Sequence, residues 1–247
     1  MLFRSYLPVV RLNDRALQGF EALLRWRHPE RGLLMPEAFL CAAEAGGQIA
    51  AIGRWTLIEA ALLLRRWREI GFKGEIAVNL SGAQLARGEE LLGDAGEALR
   101  ALGEVPPSQL RLEVAERVAM AHPRQHAAVL QALARLGFAL SIDDVGTGRV
   151  PLAELHRFPV DTLKIDRGIV ARLGDDADAR ETVRTIAALA RAMGWRALAE
   201  GVEDEARAAM LEELGVPLVQ GWLFAKALPA EEARRLVQTV PWKKPAA

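Results

Sequence analysis

The stretch FALSIDDVGTG, residues 138–148, carries the pattern that decides the fold of this chain. It is a short apolar segment that leads into two adjacent carboxylates, Asp143 and Asp144. Four further apolar runs also carry polar residues near their ends. They are IAVNL with Asn79, LRLEVAE with Glu113, TLKID with Lys164 and Asp166, and ALAEG with Glu200. A buried strand gains nothing from such a residue unless the residue has a partner or a function.

Segments of helical length separate these runs, so short strands alternate with helices. The alternation predicts a parallel sheet, and when such a sheet closes into a barrel the carboxyl ends of its strands converge on one site. We therefore predict an α/β fold, a TIM-like (β/α)8 barrel, with an acidic site and one lysine at its mouth. A length of 247 residues suits one such barrel, so residues 1–247 are predicted to form a single domain.

The N-terminal part of the chain predicts a hairpin. Asn13 and Asp14 form a favourable turn pair between the runs SYLPVV and GFEALLRW. Because side chains alternate along a strand, Glu21, Leu23 and Arg25 are expected to share one face of the second strand. Residues 28–36, which are rich in Pro, Gly and charge, are predicted to form a loop.

Composition narrows the possible functions. The 32 basic and 32 acidic residues cancel, which leaves no overall field for a nucleic-acid polymer or a membrane, although a local cluster can still bind a small anion. No apolar stretch reaches the roughly 18 residues of a spanning helix. Cys41, the single cysteine, cannot form an internal disulfide, which fits a reducing cytoplasm. We predict that it is a small core residue. Surface or loop positions are predicted for the histidines, which lack metal-ligand spacing: His28, His122, His126 and His156.

The polar residues at the strand ends predict a metal site. They offer only oxygen ligands, which suit magnesium or manganese rather than zinc or copper. Four carboxylates and an amide exceed what one magnesium ion normally takes from protein, so two ions that share a bridging carboxylate are expected, with the Asp143-Asp144 pair as the bridge. The predicted ligands are Glu21, Asn79, Glu113, Asp143 and Asp144.

Four further residues are candidates for substrate contact or proton transfer. Lys164 can neutralise phosphate charge or orient a water, and Glu200 can receive a proton or hold a water. Gln220 can hydrogen-bond a base or a water. Arg25 can clamp a phosphate through two nitrogens, although a salt bridge at the rim is an equal alternative.

Together these segments resemble the EAL-domain phosphodiesterases. Glu21-Ala22-Leu23 matches the signature, and VNLSGAQL, LEVAE, DDVGTG, LKIDR, AEGVE and QGW follow in the family's order. The resemblance implies a TIM-like barrel with an irregular, antiparallel first strand. It further implies hydrolysis of cyclic di-GMP to pGpG with two magnesium or manganese ions, homodimers, and sensor or cyclase domains in longer relatives.

The resemblance also implies roles for individual residues. It assigns the metal ligands named above, places Lys164 against the attacking water and gives Glu200 a supporting role at a metal or in proton transfer. Arg25 is implied to contact a phosphate of the ligand. Supporting or water-ordering positions behind these groups are implied for Glu116, which braces the DDVGTG loop, and for Asp166, Glu203 and Gln220.

Several positions depart from the family pattern. Leu7 replaces a glutamine of the family pattern that contacts the substrate. The resemblance therefore implies that a contact to a guanine or a phosphate of the substrate is missing at this position. Ala115 replaces a threonine and Val145 a phenylalanine. The segment Arg149-Val150-Pro151 replaces Tyr-Ser-Ser, and Ala227 replaces a proline. Most of these changes lie at the loop after Asp144, so we expect weak metal binding and slow basal hydrolysis.

Other functions remain open from the sequence. Leu7 and the altered loop favour a receptor that binds cyclic di-GMP without hydrolysing it. A scaffold that binds only proteins predicts no metal or nucleotide affinity. A barrel metalloenzyme that uses Lys164 as a base beside a metal-stabilised enolate is a further alternative, because fold alone does not decide function.

Overall fold

The chain begins with the hairpin that its sequence predicts. In the computed structural model, which describes residues 1–147 and 152–242, strand β1 (Leu2–Arg11) pairs antiparallel with β2 (Leu17–His28). Asp14 Oδ1 accepts hydrogen bonds from Arg11 Nε at 2.9 Å and from the backbone N of Ala16 at 3.1 Å. These bonds hold the turn, as expected for an aspartate that bonds to the backbone two residues on.

Strands β1 and β2 and six later strands close into a barrel. From β2 to β9 the strands of the ring run parallel, and β9 pairs antiparallel with β1, which closes it. The predicted TIM-like barrel with an antiparallel first strand is therefore confirmed. A short strand, β3 (Gly32–Leu34), pairs with the end of β2 outside the ring, in the segment predicted as a loop. The later ring strands are β4 (Glu75–Asn79), β5 (Leu110–Ala115), β6 (Ala139–Val145), β7 (Thr162–Ile165), β8 (Arg196–Ala199) and β9 (Leu218–Gln220).

Helices cover the outside of the barrel. They are α1 (Leu40–Ala45), α2 (Ile49–Glu69), α3 (Gly82–Ala86), α4 (Gly88–Leu102), α5 (Glu116–Ala119), α6 (Pro123–Arg135), α7 (Arg167–Ala171), α8 (Ala177–Ala192), α9 (Glu205–Glu213) and α10 (Ala230–Gln238). The sequence did not predict α3, α5 and α7, because four or five residues are too few to show helical periodicity. In the described part of the chain, no helix has both the length and the apolar character to cross a membrane.

Helix α2 shows how the helices pack on the strands. Leu57, Leu64 and Trp67 on one of its faces are almost fully buried. The Trp67 ring meets Phe20 of β2 and Phe72 edge-on, with centroids 5.2 and 5.5 Å away. Such aromatic contacts add about 0.5–1.5 kcal/mol beyond the burial of area. Trp67 is therefore part of the hydrophobic core between α2 and the barrel.

Ion pairs fill the end of the barrel at which the parallel strands begin. Arg111, buried on β5, donates to Glu75 Oε2 at 2.6 Å and also pairs with Asp161. Arg196 Nη1 donates to the other Glu75 oxygen at 2.9 Å. Burial raises the pKa of Glu75, but Arg111 and Arg196 outweigh it and hold this pKa below its usual range. Salt bridges therefore occupy this end, opposite the predicted site.

Replacing Glu75 by glutamine is expected to lower the free energy of unfolding by about 1–3 kcal/mol at neutral pH, because Arg111 loses a charged partner. A carboxylate whose pKa is lowered by folding stabilises the protein above its unfolded-state pKa of about 4.3, and this contribution is lost as the pH falls further. The difference between wild type and variant should thus be constant from about pH 6 to 8 and shrink below about pH 4.5. Urea unfolding at several pH values measures it. Exposed Glu104, changed to glutamine, is the control, and a difference that grows in acid would contradict the assignment.

Two predictions for single side chains are wrong. Cys41 is exposed, because it lies on a face of α1 that points to solvent. His126 is buried, with Nδ1 2.8 Å from the carbonyl oxygen of Val118, because this face of α6 packs against α5. The predicted effects of residues 149–151 lie outside the described residues.

Candidate active site

The side chain of Lys164 lies at the centre of the carboxylates at the barrel mouth. Its Nζ is 2.7 Å from Glu113 Oε2 and 2.8 Å from Glu200 Oε1. Asp143 Oδ2 lies at 3.0 Å and Glu21 Oε2 at 3.2 Å. The Lys164 side chain is 1% exposed, so these contacts are shielded from water. Residues that are far apart in sequence thus form one charged cluster.

Strand register explains why these residues meet. Glu113 of β5 is opposite Asn79 of β4 on one side and Ser141 of β6 on the other. Because alternate side chains of a strand share a face, Ser141 places Asp143 on the same interior face. Ser141 Oγ donates to Glu113 Oε1 at 3.3 Å. Ser141 is not among the residues predicted from the sequence, although its position two residues before Asp143 in an apolar strand is a usable signal.

Two amide side chains orient the carboxylates. Asn79 Nδ2 donates to Glu21 Oε1 at 3.0 Å. Gln220 Nε2 donates to Glu21 Oε2 at 2.7 Å and to Glu200 Oε1 at 2.8 Å. Hydrogen bonds therefore fix the orientations of the Glu21 and Glu200 carboxylates. Gln220 of β9 links Glu21 of β2 to Glu200, which follows β8.

An irregularity in β6 brings Asp144 to the same site. Neighbouring residues of a regular strand point to opposite faces, which would turn Asp144 away from Asp143. The β6–β7 register shifts between Ile142 and Val145, and Asp144 has a left-handed backbone with φ of 57°. The backbone N of Asp144 also donates to Asp143 Oδ1 at 2.8 Å. The irregular backbone thus directs two consecutive carboxylates into one site, as strand irregularities next to active sites often do.

The carboxylates form two overlapping groups that could each hold a metal ion. Oxygens of Glu21, Glu113 and Asp143 lie within 4.8 Å of one another, and so do oxygens of Asp143, Asp144 and Glu200. Asp143 belongs to both groups. All donors are oxygens, which fits a hard divalent cation. Gln220 Oε1 is also buried here without a hydrogen-bond partner among the described residues, so the site has polar capacity left for a water or ligand.

The electrostatics of the cluster are strongly perturbed. Burial raises the pKa of Glu113 to about 8, because the neighbouring Glu21 and Asp143 charges add to it and Lys164 offsets only part. Burial, reinforced by Asp143 and Glu21, raises the pKa of Glu200 well above its usual value. Burial raises the pKa of Glu21, but the Lys164 charge and the amide donors Gln220 and Asn79 outweigh it. The pKa of Glu21 therefore lies below its usual value. Burial lowers the pKa of Lys164, but the four carboxylates outweigh it and raise this pKa well above its usual value.

Of the residues predicted to support the site, Glu116 and Asp166 lie near the turn after Asp144, whereas Glu203 lies outside the carboxylate cluster. Glu116 Oε2 accepts a hydrogen bond from the backbone N of Gly146 at 3.1 Å, which links α5 to the turn after Asp144. Asp166 caps α7 by accepting from Gly168 N at 2.8 Å. Burial raises the pKa of Asp144, and the charges of Asp143 and Asp166 add to this rise. Glu203 is exposed and lies outside the carboxylate cluster.

Leu7 and Arg25 flank the cluster on the hairpin. Leu7 is directly opposite Glu21 in the β1–β2 register, so it shares the interior face of the sheet. Arg25 is two alternations beyond Glu21 on the same face, is 7% exposed and donates from Nη1 to Leu24 O at 2.8 Å. Burial lowers the pKa of Arg25 despite the Glu37 and Glu21 charges. Within residues 1–147 and 152–242, no carboxylate comes within salt-bridge distance of Arg25.

The fold and this site define a (β/α)8-barrel protein with a candidate metal centre at the carboxyl ends of its strands. Residues 2–227 match the family model described as EAL domain, and the chain belongs to the EAL domain family. The resemblance seen in the sequence is therefore confirmed.

Two curated relatives and one solved structure are similar to this chain. It is 41% identical over 232 residues to "Bifunctional diguanylate cyclase/cyclic di-GMP phosphodiesterase MucR" of Pseudomonas aeruginosa, covering 94% of this chain and 34% of the relative. It is 38% identical over 225 residues to "Cyclic di-GMP phosphodiesterase NbdA" of the same organism, covering 91% of this chain and 28% of the relative. The structure described as "PaMucR Phosphodiesterase, c-di-GMP complex" is 40% identical, with a TM-score of 0.88 and 94% of each chain covered. The chain thus spans about a third of the length of these curated relatives.

Proposed function

We propose that this chain hydrolyses cyclic di-GMP to linear pGpG with two divalent ions, Mg²⁺ or Mn²⁺, at the barrel mouth. The observation that carries the proposal is the pair of overlapping carboxylate groups that share Asp143. The names of the two curated relatives and the ligand of the similar solved structure support the choice of substrate.

The charge of the site supports two ions. Glu21, Glu113, Asp143, Asp144 and Glu200, when ionised, carry five negative charges, and Lys164 supplies one positive charge. Two divalent cations balance the remainder. The residues that would hold them are Glu21, Asn79, Glu113, Asp143 and Asp144. Such ions activate a water and stabilise charge at the attacked phosphorus.

The other residues of the cluster position the reactants. Lys164 would orient the attacking water and offset charge on the phosphate from the centre of the carboxylates. Glu200, whose pKa is raised by burial, would accept or hold a proton from that water. Gln220 fixes the orientation of Glu200 and Glu21 through its amide N. Arg25, held at the mouth without a carboxylate partner among the described residues, would contact a phosphate oxygen.

The direct test is incubation of the purified chain with cyclic di-GMP and Mg²⁺ or Mn²⁺, with pGpG followed by chromatography. We expect pGpG to form in proportion to protein, and EDTA to stop its formation. Nucleotide binding without product at any metal concentration would overturn the hydrolase proposal and favour a receptor. Leu7 is the observation that favours this second function, because an apolar side chain faces Glu21 where an amide is usual in the family.

The two unusual residues near Asp144 are expected to slow the reaction. Ala115 follows Val114 at the end of β5, opposite Asp143, and has no hydroxyl to donate. Val145 is fully buried behind the turn. Weakened support of metal ligands commonly costs about 10–100-fold in metal affinity or activity. The double variant Ala115→Thr and Val145→Phe is therefore expected to turn over faster and to need less metal.

A metal titration of the rate measures this effect in wild type, in each single variant and in the double variant. The single variants separate the hydroxyl from the added volume, since phenylalanine at a fully buried position also risks overpacking. If neither the double variant nor either single variant improves the rate or the half-saturating metal concentration, the two substitutions are neutral.

The oligomeric state and the neighbouring domains are inferred from the family resemblance, and the location in the cell from the single cysteine. We infer a homodimer, a cytoplasmic location, and sensor or cyclase domains elsewhere in a longer protein. The size of the relatives, of which this chain spans about a third, supports the last of these. Sedimentation that shows only monomer at high concentration, with and without ligand, would contradict the dimer.

A further inference from the structure

The β1–β2 hairpin continues beyond the rim of the barrel. Pairing between β2 and β4 ends at Ala22, opposite Val78. Beyond this point β2 remains paired with the start of β1, up to Trp26 opposite Leu2, and then also pairs with β3. A three-stranded antiparallel extension therefore stands beside the mouth that holds the carboxylates.

One face of this extension continues the interior face of the barrel. Alternation places Arg25 and Arg27 on the same side of β2 as Glu21. Phe3 is directly opposite Arg25, and Leu33 of β3 is directly opposite Arg27. We call these four residues, Phe3, Arg25, Arg27 and Leu33, the arginine face.

The opposite face of the extension is covered by the protein itself. The Trp26 ring packs against His28 and Phe39, with centroids 4.7 and 5.5 Å away, and Leu34 is buried. On the arginine face Arg25 is 7% exposed, whereas the outer part of the face is open to solvent. Arg27 is exposed, with its guanidinium 5.6 Å from the centroid of the Phe3 ring, and Leu33 is 58% exposed.

The chemistry of the arginine face is complementary to a guanine nucleotide. A cyclic dinucleotide has two phosphates and two guanines, so a molecule with one phosphate at the carboxylates still has a phosphate and bases to be held elsewhere. Arginine binds phosphate oxygens, and its planar guanidinium can also donate two hydrogen bonds to the O6 and N7 of guanine. Aromatic rings stack on bases of any sequence.

We propose that the outer part of the arginine face, formed by Phe3, Arg27 and Leu33, binds the part of cyclic di-GMP that lies outside the carboxylate cluster. Arg25 contacts the phosphate nearer the metals, while Arg27 and Phe3 hold a guanine base, with Leu33 as an apolar border. The proposal rests on the proposed function, because it takes cyclic di-GMP as the ligand. It makes Arg27 and Phe3 determinants of specificity that do not touch the reacting atoms.

The test compares Arg27→Ala and Phe3→Ala with the control Arg31→Ala, which removes an exposed arginine from the turn before β3. Dissociation constants for cyclic di-GMP are measured with Ca²⁺ in place of Mg²⁺ or Mn²⁺, so that binding is separated from turnover. Because stacking and cation–π contacts are each worth enough for about tenfold in affinity, each test variant should bind about 10-fold more weakly. The control should bind like wild type.

A second substrate separates base recognition from the reaction itself. Hydrolysis of bis(p-nitrophenyl) phosphate, a diester without a nucleobase, should be unchanged in both test variants. Unchanged affinity for cyclic di-GMP, equal losses with both substrates, an equal loss in the control, or no binding by wild type would overturn the inference. Failure of wild type to form pGpG while it binds the nucleotide would overturn the proposed hydrolysis alone.

Discussion

Glu21→Ala and Asp143→Asn are each expected to lower the turnover of cyclic di-GMP by about 1,000-fold, which corresponds to the loss of about 4 kcal/mol of transition-state stabilisation. Glu21 belongs to one carboxylate group and Asp143 to both, so each change removes a charged ligand from a metal site. Asparagine keeps the shape of Asp143 and removes only its charge. Initial rates at saturating Mn²⁺ measure turnover, and calorimetric titration measures metal affinity.

The control for these variants is Glu213→Ala, which removes an exposed carboxylate from α9. Its rate and metal affinity should equal those of wild type. Circular dichroism of each purified variant confirms that it is folded. A folded Glu21→Ala or Asp143→Asn protein with near-normal turnover would contradict the assignment of the metal ligands. Cyclic di-GMP binding is expected to survive in part, through Arg25 and the base contacts.

Lys164→Met is expected to lower the free energy of unfolding in EDTA by about 3–5 kcal/mol, the usual cost of removing one partner from a buried ion pair. Four carboxylates contact Lys164 Nζ within 3.2 Å, and their mutual repulsion is left uncompensated without it. Turnover should also be lost, because the variant has no ammonium at the centre of the four carboxylates. Urea unfolding followed by tryptophan fluorescence measures the stability.

Two further variants decide whether the stability lost in Lys164→Met comes from the missing charge or from changed packing. Lys226→Met removes an exposed lysine that lies over Trp222, and it should leave stability unchanged within about 0.5 kcal/mol. Adding Glu200→Gln to Lys164→Met removes one of the carboxylates that contact Nζ, and it should restore part of the lost stability. If Lys164→Met alone is as stable as wild type, the ammonium does not hold the cluster together.

The sequence alone determined the type of fold and most of the members of the site. Apolar runs that alternate with helical segments predict a parallel barrel, because local periodicity and the handedness of βα connections leave few other arrangements. The strand-end positions of Asn79, Glu113, Lys164 and Glu200 then predict convergence, since the carboxyl ends of barrel strands meet at one mouth. Each of these four residues lies in or beside the carboxylate cluster.

The tertiary structure alone decided how the members are arranged. A regular strand would turn Asp144 away from Asp143, and only the irregular β6 backbone, with its shifted register, brings both into the site. Glu203 follows the same type of strand end but is exposed, because the chain has left the barrel mouth before it. The ion pairs of Arg111 at the opposite end join residues from three separate segments. Local sequence patterns carry no information on such long-range contacts or on departures from ideal strand geometry, which closure of the whole barrel imposes.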